Sequence, residues 1–308
     1  MITKTYQADC WIAKLLTRGC LIALLFFTEN SLAADNGVFT FSVSSDGAEI
    51  TGCVNTCPSD LVIPYTIDGY SVTRIGNAAF SSLPFTYPGI ASIVIPNSVE
   101  HIGDDSFRWS QLTSVTIPDS VTSIGRAAFA FSSQLTSLTI GNSVTSIGNH
   151  AFGYNQLTSV TIPDSATYVG DGAFQYNDLT SVIIGDSVTS IGNFAFNENQ
   201  LTSLTIPDSV TSIGWSAFAD NQLTSVTIGN SVTSIGEQAF YWNYLTDVIF
   251  LGNRPEIGAY AFSANPLSNI SYCGQNGWPG NSIEGITPQL DETCDSDNDG
   301  FAYIAYRN

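Results

Sequence analysis

Basic side chains are scarce in this chain of 308 residues, which has 8 Lys and Arg against 27 Asp and Glu and a formal net charge of −19. A protein that binds a nucleic-acid duplex needs Lys and Arg to neutralise phosphates, so such a partner is not expected. Charged residues make up 11% of the chain, well below the usual share of about 25%, while apolar residues make up 44%. A disordered acidic protein would have many charged and few apolar residues, so the composition predicts a folded protein with a large core.

Residues that usually carry catalysis are also rare. The chain has two His, His101 and His150, no Lys beyond Lys14, and no Gly-rich phosphate loop or HExxH pattern. Hydrolytic chemistry needs a nucleophile beside a base, and no Ser, Cys or carboxylate cluster outside the repeated pattern stands near either His. We therefore expect a protein that is not an enzyme and that has no required cofactor.

The N-terminus has the three-part pattern of a secretory signal. Lys4, Lys14 and Arg18 precede the apolar run Gly19–Phe27, and small residues follow, with cleavage expected after Ala33. Cleavage would leave 275 residues and change the net charge to −20, because three basic and two acidic residues are lost. The apolar run is far shorter than the ~20 residues of a membrane span. We predict an exported protein, extracellular or at the cell surface, with no transmembrane segment in the mature chain.

Four cysteines would remain after cleavage: Cys53 and Cys57 near one end, Cys273 and Cys294 near the other. An even number in an exported chain indicates disulfides. Local pairing, Cys53–Cys57 and Cys273–Cys294, is the simplest of the three possible connectivities. A metal site is less favoured because no His lies near either pair.

The string LTSVTIPDSVTSIGxxAFxxNQ recurs along most of the chain. After a first interval of 27 residues, its Phe returns every 22 or 23 residues, at Phe80, Phe107, Phe129, Phe152, Phe174, Phe196, Phe218, Phe240 and Phe262. Self-similarity at a fixed period is the signature of stacked repeats, so we predict an α/β-type solenoid of about nine coils. At roughly 4.8 Å per coil the stack would span about 40 Å.

Each repeat predicts two short extended segments and a turn. Apolar and polar residues alternate in Leu157–Ile162, which is typical of a strand with one buried face, and Pro163 ends this strand. Ser209–Ile213 forms a second extended piece, after which Gly214 turns the chain and Phe218 lies on a brief helical or 3-10 turn. The first strands should form one parallel sheet on one face of the solenoid.

One polar column is expected inside the stack, two residues before each repeat's Leu: Asn155, Asn177, Asn199, Asn221, Asn243 and Asn265. Buried amides must be hydrogen-bonded. We therefore interpret this column as an asparagine ladder that bonds the turns of adjacent coils, not as a ligand site.

The repeat LxxVxIPxSVxxIGxxAF closely resembles the BspA-like leucine-rich repeat of bacterial surface proteins, over roughly Ile50 to Tyr272. The resemblance implies a solenoid fold and adhesion to surface or matrix glycoproteins or glycans. The chain then divides into a signal peptide (1–33), an N-terminal cap with the first repeat (34–76), a solenoid (77–272) and a C-terminal cap with an acidic tail (273–308). The alternative function is a structural spacer, or a fragment of a larger surface protein.

Two outward columns are candidate ligand surfaces. Outward Ser and Thr alternate on the first strands, the usual binding face of such solenoids: Ser114, Thr116, Ser137, Thr139, Ser159, Thr161, Ser203, Thr205, Ser225 and Thr227. This uniform set either suits strand formation alone or matches a repetitive ligand. The second column precedes the asparagine ladder: Trp109, Phe131, Tyr154, Tyr176, Glu198, Asp220, Trp242 and Ala264. Its aromatic members either bind a ligand or pack on one another.

The segment Asp295–Gly300 has the D-x-D-x-D-G form that begins a calcium loop. Its twelfth position holds Tyr306 where a calcium loop has Glu. Asp295, Asp297 and Asp299 are therefore candidate ligands for weak calcium binding, and the alternative is a solvated acidic tail.

Overall fold

The computed structural model describes residues 32–82, 89–273 and 282–290. The predicted signal peptide falls almost wholly outside the described residues, as do Cys294 and the calcium-loop candidates Asp295, Asp297 and Asp299. The expected cleavage point after Ala33 lies within the first described strand, Leu32–Asp35. The proposed domain boundaries remain a prediction.

Three strands at the N-terminal end form an antiparallel meander, and a small hairpin joins it to the repeats. The meander strands are β1 (Leu32–Asp35), β2 (Phe39–Ser44) and β3 (Gly47–Cys53), and the hairpin strands are β5 (Thr66–Ile67) and β6 (Tyr70–Ile75). Strand β3 pairs in parallel with β6, which continues into the repeat stack. The Cys53–Cys57 disulfide, with Cα atoms 5.4 Å apart, closes a short loop at the end of β3.

The strands that follow the Leu of each repeat lie on one face, which we call the first face. They are β4 (Asp60–Val62), β7 (Ser92–Val94), β9 (Ser114–Thr116), β11 (Ser137–Thr139), β13 (Ser159–Thr161), β15 (Ser181–Ile183), β17 (Ser203–Ile206), β19 (Ser225–Ile228), β21 (Asp247–Phe250) and β23 (Asn269–Tyr272), with β24 (Gln289–Leu290) pairing to β23. Ten such strands indicate about ten turns of the solenoid, one more than the repeat of Phe predicts.

The second extended pieces form a continuous parallel ladder on what we call the second face. The strands are β8 (His101–Ile102), β10 (Ser123–Ile124), β12 (Ser146–Ile147), β14 (Tyr168–Val169), β16 (Ser190–Ile191), β18 (Ser212–Ile213), β20 (Ser234–Ile235) and β22 (Glu256–Ile257). Each has only two residues, yet together with β1, β2, β3, β5 and β6 they form the largest sheet, of 13 strands.

The first face, by contrast, is split into shorter sheets. Its ladder stops between β7 and β9, between β11 and β13, and between β15 and β17. At each break the later strand is followed by a proline: Pro118, Pro163 or Pro207. The equivalent residue Leu251 donates its N–H to the carbonyl oxygen of Ile228 at 2.9 Å, and proline has no N–H to make that bond. Pairing of β4 with β7 persists before Pro96, so proline weakens the ladder without always ending it.

The core consists of columns of identical residues. Consecutive Phe rings from Phe80 to Phe262 stack with centroids 5.0 to 5.5 Å apart. Phe39 packs edge-on against one end of this stack and Phe250 against the other, at 6.3 and 6.2 Å. The rings of the stack are almost fully buried, so the Phe of one coil is covered by the coils on either side.

The predicted asparagine ladder is confirmed. The Nδ2 of Asn221 donates to the carbonyl oxygens of Phe196 and Phe218 at 2.9 and 3.2 Å. Its Oδ1 accepts from the backbone N–H of Leu201 at 3.0 Å. Nδ2 also donates to the carbonyl oxygen of Ala219 at 3.2 Å. One buried side chain thus satisfies four backbone groups in two coils, as burial of polar groups requires.

The predicted helical or 3-10 turn at each Phe is wrong for the described residues, none of which is helical. Left-handed residues flank the Phe on both sides: in one coil Ser216 has φ 50° and Asp220 has φ 57°, two residues before and after Phe218. A helix needs consecutive negative φ values, so these two positions restrict the segment to isolated turns. The solenoid is therefore built of β-strands and turns, without an α component in the described part.

Candidate binding surfaces

Ten outward hydroxyls of the first face have no hydrogen-bond partner among the described residues, whereas Ser92 on the same face donates to Asp60 at 2.6 Å. The ten Ser and Thr predicted to face outward are exposed or half-exposed: Ser114, Thr116, Ser137, Thr139, Ser159, Thr161, Ser203, Thr205, Ser225 and Thr227. Among the described residues, none of these side chains hydrogen-bonds to another protein group. Their strands pair in register where a ladder forms, as Ser114 with Ser137 and Thr116 with Thr139. The result is a lattice of free donors and acceptors.

Two other threonine columns look alike in sequence but differ in their bonding. The Oγ1 of Thr145 donates to the carbonyl oxygen of Thr122 at 3.0 Å, and that of Thr180 donates to Thr158 at 3.2 Å. These columns, one before the second-face strands and one before the first-face strands, use their hydroxyls to link coils. The column before the first-face strands is bonded only in part, since Thr158 and Thr202 donate no side-chain hydrogen bond within the described residues. In the outward first-face column none of the ten described hydroxyls is bonded.

A groove of about 900 Å³ crosses the first face at β7 to β13. Thr116, Thr139, Ser159 and Thr161 contribute hydroxyls to its lining. The hydroxyl column is interrupted further along at Ile183, whose side chain is 63% exposed. The outward column is therefore hydroxylic from Thr116 to Thr161 and again at Thr205 and Thr227, with Ile183 between them. On β4 and β7 the same position holds Val62 and Val94, which are 61% and 57% exposed.

The four aromatic residues of the second candidate column form one continuous stack. Centroids of Trp109, Phe131, Tyr154 and Tyr176 follow each other at 4.4, 4.4 and 4.7 Å, with interplanar angles of 16°, 11° and 23°. Because each inner ring is covered by its neighbours, the stack offers ring edges and two tyrosine hydroxyls to a ligand. Both interpretations of the column thus have a basis: the rings pack on each other, and Tyr154 and Tyr176 are still exposed.

The stack begins beside a small charged cluster. The Arg108 guanidinium lies 5.6 Å from the ring centroid of Trp109 and 5.1 Å from that of Phe131. Asp105 accepts from Arg108 at 3.1 Å and from Arg126 at 2.6 Å. Arginine, aromatic ring and carboxylate therefore already meet within this chain, in the arrangement that favours cation–π contact.

The stack ends at two carboxylates in the same column. Burial, and then the negative charge of Asp220, raise the pKa of Glu198. Burial also raises the pKa of Asp220, against the lowering effect of a hydrogen bond from Asn197 at 3.4 Å. The pKa of Tyr176 is raised as well, by burial first and then by the charge of Glu198. Two anions are thus held side by side without a cation between them in the described structure.

Trp242, the last aromatic member of the column, is separated from the stack by these carboxylates. Its side chain is 64% exposed, and Tyr244 beside it is 62% exposed. Together with Glu198 and Asp220 they line a second groove, of about 960 Å³. Trp242 therefore lies in the same column as Trp109 but outside the aromatic stack, in a separate groove.

One potential catalytic contact escaped the sequence argument, because both partners belong to the repeated pattern. Nδ1 of His101 lies 2.8 Å from Oγ of Ser123 in the next coil. The register of β8 with β10 produces this contact, and the period of 22 residues could have indicated it. No carboxylate is bonded to His101 to orient it, and no group of three potential metal ligands occurs in the described residues.

Cys273 is disulfide-bonded, and its predicted partner Cys294 lies outside the described residues. Across residues 32–82, 89–273 and 282–290 no helix has the length and apolar character needed to cross a bilayer.

Parallel coils, a stacked Phe core and an asparagine ladder define a leucine-rich-repeat solenoid. A family model described as the BspA type leucine rich repeat region matches residues 61–180 and 167–277 with six copies. The chain belongs to this BspA-type leucine-rich-repeat family. No functionally curated protein matches the chain.

Solved bacterial structures share the fold. A leucine-rich cell surface protein from Faecalibacterium prausnitzii is 28% identical with a TM-score of 0.58, and the match covers 78% of this chain and 88% of that one. A leucine-rich repeat protein from Bacteroides ovatus is 25% identical with a TM-score of 0.54, covering 78% and 70%. Repeat-based binding is the general role that this family suggests.

Proposed function

We propose that this protein is an exported, non-catalytic adhesin that binds surface or matrix glycoproteins or glycans through the first face of its solenoid. The observation that carries the proposal is the column of unpaired hydroxyls on that face. By contrast, the threonine column before the second-face strands, from Thr122 to Thr233, bonds its hydroxyls to the neighbouring coil. Support for a surface location comes from the family and from the cell surface protein that shares the fold.

The chemistry of the face suits a repetitive polar ligand. Each hydroxyl is both donor and acceptor, and adjacent parallel strands repeat it about every 4.8 Å. A glycan presents hydroxyls along its own length, so several weak bonds could form together. The tyrosine hydroxyls at the edge of the aromatic stack supply further polar contacts of the same kind.

The test is binding of the purified protein to an array of glycans and matrix glycoproteins, with calcium and with chelator. The triple variant Thr116→Val, Thr139→Val and Thr161→Val removes three free hydroxyls at nearly constant shape and should reduce binding at least tenfold. The matched triple Thr145→Val, Thr167→Val and Thr189→Val should lower thermal stability but leave binding within about twofold, because those hydroxyls link coils.

Equal loss of binding in both triple variants would contradict a role for the first face. Binding lost only in chelator would move the site towards Asp295, Asp297 and Asp299. A silent array would favour the alternative of a structural spacer, which the mutual packing of Trp109, Phe131, Tyr154 and Tyr176 independently supports. Export is tested separately by the N-terminal sequence of the secreted protein, expected to begin at Ala34.

A further inference from the structure

The second groove lies on a different surface from the hydroxyl column. Glu198, Asp220, Trp242 and Tyr244 contribute to its lining, from three consecutive coils. The coils are held in register by backbone hydrogen bonds, from Glu198 N–H to Ala219 at 3.1 Å and from Asp220 N–H to Tyr241 at 3.0 Å. The two carboxylates and the indole therefore stand one coil apart from each other along a rigid backbone.

The carboxylates have no basic partner within the described part of the chain. Its two ion pairs both involve Asp105, at the opposite end of the aromatic column. The chain as a whole carries 27 acidic and 8 basic residues, so its long-range field attracts cations. Burial and repulsion by Asp220 oppose the charged form of Glu198, and the attraction of a bound cation favours that charged form.

Trp242 differs from the stacked aromatic residues in what covers its ring. Trp109 and Phe131 lie face to face at 4.4 Å, whereas the column neighbours of Trp242 are Asp220 and Ala264. The one ring contact of Trp242 within the described residues is a tilted one, with Tyr241 at 6.1 Å. A largely exposed indole is an unusual surface feature, and Trp is a frequent anchor residue at interfaces.

The chain itself shows what group fits such a site. At the start of the column, Arg108 lies over Trp109 and Phe131 while its guanidinium bonds to Asp105. Trp242 occupies the same column position as Trp109, and carboxylates stand beside it, but no arginine of the described chain reaches them. The later coils thus combine an indole with carboxylates but lack the guanidinium, and their carboxylates stand in the column of Trp109 and not at the position of Asp105.

We propose that the second groove binds an arginine-bearing segment of a partner protein, with the guanidinium stacked on Trp242 and bonded to Asp220 and Glu198. A guanidinium is planar, so it stacks on an indole and bonds to carboxylates at the same time. An ammonium group is more strongly hydrated and has no plane to stack. The proposal is independent of the hydroxyl face and of its glycan ligand.

Calorimetric titration of the full protein with hexa-arginine, hexa-lysine and an uncharged Gly-Ser hexapeptide tests this inference at 0.15 M salt. Hexa-arginine should bind at least fivefold more tightly than hexa-lysine, and the uncharged peptide should not bind. Trp242→Ala, and separately the pair Glu198→Gln with Asp220→Asn, should each weaken hexa-arginine at least tenfold. The matched pair Glu100→Gln with Glu237→Gln removes the same charge from exposed residues elsewhere and should change affinity by less than twofold.

Equal weakening by the two charge-neutralised pairs would show general attraction to an acidic protein and would overturn the proposal. Equal affinity for the arginine and lysine peptides, or binding unaffected by Trp242→Ala, would overturn the stacked guanidinium. Thermal unfolding of every variant separates loss of the site from loss of the fold. The glycan array result of each variant should match that of the parent protein, since the first face is intact.

Discussion

Backbone conformation at single positions explains why the repeat turns where it does. Residues two before and two after each Phe from Phe107 to Phe262 adopt positive φ although most are not Gly: Ala127, Phe131, Tyr154 and Trp242 are examples, with φ from 50° to 62°. Such a residue carries a cost of roughly 1–2 kcal/mol, which packing of the stacked coils offsets. Only Gly172 avoids it, and the ring of His150 occupies the space that a side chain there would need.

Replacing Tyr260 with glycine should therefore stabilise the fold. Tyr260 has φ 58° and is 63% exposed, so its side chain contributes little burial. We expect Tyr260→Gly to raise the free energy of unfolding by about 0.5–1 kcal/mol, after the greater flexibility of glycine in the unfolded chain is deducted. Tyr244→Gly is the control, because Tyr244 is equally exposed but has negative φ, and it should destabilise. Chemical denaturation measures both, and a loss of stability in Tyr260→Gly would refute the strain argument.

The carboxyl of Glu198 provides a pH-dependent prediction. Since burial and Asp220 raise its pKa, the folded protein binds this proton more tightly than the unfolded chain, and the fold gains stability as pH falls through the folded pKa. Glu198→Gln should therefore raise the Tm at pH 7, and the difference from the parent should disappear below the ordinary Glu pKa of 4.5. Glu237→Gln also removes one carboxylate from the acidic surface and is the control, so the rise in Tm at pH 7 should be larger for Glu198→Gln than for Glu237→Gln. A Tm difference that grows on acidification would contradict the assigned shift.

The asparagine ladder is the element that links coils most specifically, and one member is incomplete. Asn155 donates to two Phe carbonyls but its buried Oδ1 has no partner, because the N–H of Leu135 bonds to Ser132 at 2.8 Å. The extra residue in that 23-residue coil causes the difference. Asn221→Ala would leave the N–H of Leu201 unpaired and should cost about 3 kcal/mol or more, whereas Asn155→Ala should cost at least 1 kcal/mol less. Equal losses in urea denaturation would show that the Oδ1 bond contributes nothing.

A second contact between coils lies directly after the first-face strands, where a glycine of one coil packs against a proline of the preceding coil. Gly185 lies directly above Pro163, and a Cβ on Gly185 would be 2.5 Å from the Pro163 carbonyl oxygen. Gly185→Ala should destabilise by roughly 2–3 kcal/mol because two backbones must separate. Ser187→Ala, an exposed change in the same turn, should stay within about 0.5 kcal/mol of the parent. A neutral Gly185→Ala in thermal unfolding would show that the coils can move apart at little cost.

The repeat in the sequence was sufficient to predict the coil, its buried Phe and the asparagine ladder, because identical residues at a fixed spacing must stack. It was insufficient for the turn at Phe218, where Ser216 and Asp220 adopt a conformation that their side chains do not favour. The candidate sites show the same limit. The pattern places Thr139 on the first strand and Thr145 before the second, but it does not show that the hydroxyl of Thr145 bonds to the preceding coil. The covering of ring faces likewise depends on side-chain orientation.

The solenoid as a whole has a core of uncharged columns and a strongly acidic surface. Because repulsion among the surface carboxylates destabilises the fold, its stability should increase with salt concentration. The net charge is −19, and the two ion pairs in the described part both use Asp105. Screening therefore weakens much repulsion and little attraction. Raising NaCl from about 0.02 to 0.5 M should raise the Tm at pH 7, by about 2–4 °C for each kcal/mol of relieved repulsion. The same titration at pH 4, where many carboxylates are protonated, is the control and should show a smaller rise. A Tm that falls with salt at pH 7 would mean that attractive charge pairs, rather than the uncharged columns, support the solenoid.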